Sequence, residues 1–191
     1  MSTTSEGGAL KIGFAVAALL LVGGLVTLKA LEYARYLEFS VEAVMDPLPV
    51  SRPAPPLNLP AGPGGDALAL EALRGHYALV HFWATWCPPC RDELRTLEYL
   101  TRHLGERVAV LAITVDEDWE EVKRFFGAAP PTFKLLWDPA RVSSSAYGTQ
   151  KFPETSLVDP GGRVVTKFVG ARDWNSAEAR RYFKQLLGGT S

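Results

Sequence analysis

Apolar positions fall into two kinds of block along the chain, and the blocks alternate. Ala78 to Ala84 is an apolar run broken only by His81, the pattern of a strand covered on both faces. Val108 to Val115 repeats it, and Phe133 to Trp137 is a shorter version. Between these runs the spacing becomes helical. Pro88 to Leu104 opens with proline at its first position and ends at Gly105. Trp119 to Phe126 predicts a second helix, and Arg141 to Tyr147 a helical turn or more. Thr155–Val158 and Arg163–Val169 flank Asp159-Pro160-Gly161-Gly162, which is a hairpin signature. Ser176 caps a closing amphipathic helix that runs to Leu187, and Leu68–Leu73 is a short element after the turn at Gly62-Pro63-Gly64-Gly65. Buried strands alternating with helices and ending in a hairpin predict a three-layer α/β sandwich with a mixed central sheet.

The first fifty residues follow another rule. No charge occurs from Ile12 to Leu28, and Lys11 and Lys29 bracket the run. At roughly 1.5 Å per residue this segment spans about 25 Å, at the short end for a bilayer core of ~30 Å, and snorkelling lysines make up the difference. A small domain offers nothing large enough to surround such a helix. A cleaved signal peptide is the rival reading, but Thr27-Leu28-Lys29-Ala30-Leu31-Glu32 contains no convincing small-x-small cleavage site. An uncleaved transmembrane anchor is the better reading. Basic residues lie on both sides of it and do not orient it. Glu32 to Val44 continues the anchor as an amphipathic helix, and the prolines from Pro47 to Pro56 predict a stiff, extended spacer. The chain thus divides into a tail (1–11), an anchor (12–28), a juxtamembrane helix with a proline-rich linker (29–52) and one folded domain (53–189).

Composition narrows the function. With 191 residues and a net charge of −1, the chain has room for one core and has no basic stripe for nucleic acid. Its only two cysteines stand in Trp86-Cys87-Pro88-Pro89-Cys90, at the junction of a buried strand and a helix. That is the layout of a dithiol that cycles with a disulfide. Cys87 falls where unpaired helix N–H groups favour an anion, so it is the attacking thiol; Cys90 is one turn deeper and resolves. Proline at both intervening positions removes two N–H donors. The thiolate is then less stabilised, which favours the disulfide and makes the dithiol a better reductant. Two thiolates also suit Cu(I), so a copper- or zinc-carrying domain is the alternative, although none of the three histidines clearly completes a site.

Val80-His81-Phe82-Trp83-Ala84-Thr85-Trp86-Cys87-Pro88-Pro89-Cys90 resembles a thioredoxin-fold active site. More narrowly, the chain resembles the membrane-anchored TlpA/ResA/DsbE family of extracytoplasmic thiol–disulfide oxidoreductases. The likeness runs from about Pro53 to Leu187. It takes in Tyr147-Gly148, Phe152-Pro153-Glu154-Thr155, Val158-Asp159 and Val169-Gly170-Ala171-Arg172-Asp173-Trp174. The resemblance implies a bacterial cytoplasmic-membrane anchor with the domain on the periplasmic or extracytoplasmic side, no cofactor, and disulfide-containing exported proteins as substrates. Cytochrome c maturation or copper-centre assembly would be the setting, with a membrane thiol carrier as electron donor. It makes Pro153 the cis-proline opposite the dithiol and leaves the Phe152 backbone to pair with an extended substrate. It also gives Glu93, which shares a helical face with Cys90, a part in the dithiol's proton chemistry. Arg95 stands where the family often has a helix-kinking proline. His81 departs from the asparagine common in the family. It is either a proton relay to Cys90 titrating near neutrality or a neutral core histidine. Trp86 belongs to the rim of the site.

Overall fold

The computed structural model describes residues 6–188, and the chain divides between Ala43 and Val44 into two compact units. The first is made of helix α1 (Glu6–Met45), a single run of 40 residues. Within it Phe14–Met45 is long and apolar enough to cross a membrane, and Leu19, Leu20 and Leu21 are exposed. The anchor and the juxtamembrane helix expected after it are therefore one continuous helix. Of the tail expected at 1–11, residues 1–5 lie outside the described residues, and the helix has already begun at Glu6.

The second unit is built on a six-stranded sheet in the order β1-β8-β7-β4-β5-β6. Its strands are β1 (Leu48–Pro53), β4 (Tyr77–Trp83), β5 (Val108–Thr114), β6 (Lys134–Trp137), β7 (Glu154–Val158) and β8 (Arg163–Val169). A separate two-stranded ribbon joins β2 (Asn58–Pro60) to β3 (Ala67–Ala69). Strands β4, β5 and β6 run parallel, and β7, β8 and β1 continue the sheet antiparallel. The parallel steps are made by α2 (Pro88–Leu104) and α3 (Trp119–Phe126); α4 (Val142–Ala146) precedes β7, and α5 (Ala177–Gly188) closes the described chain. The mixed sheet and the three-layer, thioredoxin-like plan are those the sequence predicts.

One boundary is corrected. Residues 48–52, expected inside the proline-rich linker, belong with Pro53 to edge strand β1, with Leu48 opposite Lys167 and Pro53 opposite Arg163. Proline is compatible with an edge, where one side of the strand has no ladder to supply, and the register shifts between Pro49 and Arg52. The folded unit thus begins near Val44 rather than at Pro53.

Strand β4 shows why a continuous apolar run belongs at the centre of a sheet. Ala78, Val80 and Phe82 join Leu57, Leu111, Ile113 and Tyr147 in one core cluster. By the period of two, Leu79, His81 and Trp83 point to the other face. On that side lie the buried α2 residues Leu94, Leu97 and Leu100, with Phe168, Trp174 and Phe183. Trp174 meets Phe168 edge-on at 5.2 Å, and Trp83 packs against Phe125 and Phe126 of α3. The β7–β8 turn is closed by the Asp159 carboxylate, which accepts the Arg163 N–H at 2.8 Å, and Gly162 supplies the positive φ (74°) the turn needs.

Candidate active site

Cys87 is the residue on which α2 starts, and it is bonded to Cys90. Both are buried, Cys87 at 6% exposed and Cys90 at 0%, so what exposure the pair has belongs to Cys87. The backbone N–H groups of Cys90 and Arg91 both donate to the Cys87 carbonyl, at 3.1 and 3.2 Å. Pro88 and Pro89 have none to donate. The Cys87 side chain accordingly receives no capping hydrogen bond, and in the reduced form its thiolate is left to the helix dipole where a cap would otherwise add to it.

The loop that presents Cys87 is gripped from behind by Asp116, which follows β5 and is buried. Its carboxylate accepts the Thr85 N–H at 2.9 Å and the Thr85 hydroxyl at 2.7 Å, and it also bonds the Thr114 hydroxyl. Its own carbonyl accepts the Trp137 indole N–H at 2.7 Å. No reading of motifs singles out Asp116. The signal for it is an acid closing an otherwise apolar strand run, since a buried carboxylate needs donors.

The Phe152–Pro153 peptide bond is cis. Pro153 leads into β7, and its carbonyl accepts the Gly170 N–H at 3.0 Å. Phe152 meets Trp86 edge-on at 6.0 Å, and Trp86 is 55% exposed, which makes it a rim residue.

Below the dithiol, Glu93 is buried one turn beyond Cys90 on α2. Its Oε1 accepts the Trp174 indole N–H at 2.5 Å, while Oε2 has no partner among the described residues. Burial pushes its pKa up to about 8, against the smaller opposing pull of the Trp174 hydrogen bond and of Arg172. Trp174 is held in turn by Thr96, whose hydroxyl takes the Trp174 backbone N–H at 3.1 Å. The raised pKa places the Glu93 carboxyl close to the ordinary range of a thiol.

His81 is also fully buried, and Thr155 Oγ1 lies 2.8 Å from its Nδ1. Burial lowers its pKa to about 3. A relay titrating near neutrality does not fit this direction, and the burial that lowers the imidazole's proton affinity fits the neutral core histidine. Among the described residues no set of three or more His, Cys, Asp or Glu side chains gathers as metal ligands, and no third donor is brought to the two cysteines.

The model of the Redoxin family matches residues 49–186. The chain is 29% identical over 109 residues to the thioredoxin-like protein YneN of Bacillus subtilis, covering 56% of this chain and 64% of YneN. It is 30% identical over 107 residues to the thiol-disulfide oxidoreductase ResA of the same organism, covering 56% and 60%. The match thus spans less than two thirds of either relative. Among solved structures, a DsbE-type thiol:disulfide interchange protein from Chlorobium tepidum superposes with a TM-score of 0.63 at 26% identity, covering 74% of this chain and 97% of that one.

Proposed function

Because the chain belongs to the Redoxin family, we propose that it is a membrane-anchored thiol–disulfide oxidoreductase that reduces disulfides in exported proteins. One observation carries this reading: the two cysteines are paired, the less buried one at the start of α2 and the other wholly buried, one turn before a carboxyl raised towards thiol values. In the reduced enzyme the Cys87 thiolate attacks one sulfur of a substrate disulfide. The first substrate thiolate leaves, and a mixed disulfide forms. Cys90 then loses its proton to the fraction of Glu93 that is ionised and attacks Cys87 Sγ, which expels the second substrate thiolate, protonated from solvent, and closes Cys87–Cys90. The substrate gains two electrons and the dithiol loses two. Phe152 and Pro153 border the place where an extended substrate segment lies, and His81 is a neutral packing residue tied to Thr155.

The long apolar helix supports the anchor, and the resemblance to the TlpA/ResA/DsbE family supports a periplasmic or extracytoplasmic domain. Cytochrome c maturation or copper-centre assembly is the setting we assign, with a membrane thiol carrier restoring the dithiol. The test uses the full chain in neutral detergent, equilibrated with glutathione and dithiothreitol buffers. A midpoint below the glutathione couple is expected for a reductase; one near the strong oxidants, roughly 150 mV above thioredoxin, reverses the direction. Cys90→Ser should trap mixed disulfides that Cys87→Ser does not. Equal alkylation rates for the two thiols would remove the mechanism.

A further inference from the structure

The rim of the dithiol carries a cation that the exchange reaction does not use. The Arg141 guanidinium lies over the Trp86 ring, 5.9 Å from its centroid. Arg141 is exposed, and among the described residues no carboxylate forms an ion pair with it. Its backbone is left-handed (φ 56°, ψ 27°), one of two such non-glycine positions among the described residues. Such a conformation persists where the surroundings over-determine it, and it is a pointer to function. Here the buried Asp138 does so. Its carboxylate accepts the N–H groups of Val142 and Ser144 at 3.0 Å each, and its carbonyl accepts the Arg141 N–H at 2.9 Å. The Asp138 N–H donates to Thr114 at 2.8 Å, on the strand end whose hydroxyl also bonds Asp116. The arm that holds Arg141 and the loop that holds Cys87 are thus fixed to one framework.

We infer that Arg141, seated on Trp86 beside Phe152, reads a carboxylate next to the substrate's disulfide and so selects acidic segments for reduction. This rests on the oxidoreductase reading and names its substrate class. The exposed indole offers a flat apolar face to an extended peptide. The guanidinium is a planar fork matched to a carboxylate, and stacking on the ring holds it ready. The neighbouring charges are mixed. Exposed Arg91 and Lys151 adjoin Cys90 and Phe152 in the chain and share the sign of Arg141, while exposed Asp92 and Glu117 oppose it. Among the described residues, only Arg141 is held by a cation–ring contact on the rim itself. The occupant is an extended segment of an exported protein with Asp or Glu within a residue or two of its reacting cysteine.

Three small disulfides of matched length test this: dithiodipropionate, which is anionic, bis(hydroxyethyl) disulfide, which is uncharged, and cystamine, which is cationic. The full chain in neutral detergent is reduced and mixed with each, and single-turnover rates are expressed relative to the uncharged compound. Wild type should prefer the anion. Arg141→Gln should lower that preference about fivefold, and Arg141→Lys should keep part of it. High salt should erase it in the wild type, a readout that needs no variant. The same ratios in wild type and Arg141→Gln, or a preference insensitive to salt, would overturn the assignment. Wild type that reduces none of the three would instead remove the oxidoreductase reading, and the inference with it.

Discussion

Cys87 and its two prolines set the proton affinity of the attacking sulfur through which backbone donors exist. A residue at the start of a helix ordinarily accepts from the N–H two or three positions on. Here the first of these belongs to Pro89 and is missing, and the second, from Cys90, goes to the Cys87 carbonyl. Pro89→Ala restores one donor beside the sulfur. We expect the Cys87 pKa to fall by about one unit and the midpoint potential to rise by about 30 mV, because a hydrogen bond to the thiolate stabilises the reduced form. Thiol titration and dithiothreitol equilibration measure the two, and a shift of both in the opposite direction refutes the donor argument. The motif itself was legible from its residues. That the Cys90 N–H was already engaged was not, because it depends on how tightly the first turn winds.

The elements are joined at their ends by side chains that no hydropathy pattern marks. Asp116 ties the end of β5 to the loop before α2 through Thr85. Asp116→Ala leaves the half-buried donors of Thr85 and the buried hydroxyl of Thr114 without this acceptor, so we expect a loss of about 3 kcal/mol in urea unfolding. Disulfide exchange should slow as well, since Cys87 is then presented by a loose loop. A second expectation concerns β1. A chain starting at Val44 keeps the β1–β8 ladder, whereas one starting at Leu57 exposes the edge of β8. The longer form should unfold cooperatively and stay soluble; the shorter should melt lower and aggregate, as bare edges do. Equal melting temperatures would show that β1 contributes nothing. This strand was hidden in the sequence because its prolines read as spacer, and only the edge position of β8 gives them a partner.

For the whole molecule, two buried groups, Glu93 and His81, make stability depend on pH in opposite senses. Glu93 titrates at about 8 in the folded chain against 4.5 for a free carboxyl. Between those values the folded state holds a proton that the unfolded state releases, so this group weakens the fold as pH rises. His81 titrates at about 3 against 6.5, so the unfolded state binds the extra proton there and stability falls as pH drops below 6.5. The slopes offset each other between 4.5 and 6.5. Glu93→Gln should therefore gain stability over wild type from pH 5 to 8, on the order of 3 kcal/mol, and His81→Asn should gain below pH 6. Urea midpoints against pH read both, and parallel curves for wild type and variants would refute these shifts. The central strands, the helices, their order and the reactive pair were set by the sequence alone, because periodicity, turn residues and a strand–Cys-x-x-Cys–helix junction are local properties of the chain. Whether Glu93 and His81 hold protons, what grips Thr85, and where Arg141 rests were decided by the tertiary structure. Hydration is lost and partners are met only when residues dozens of positions apart are packed together.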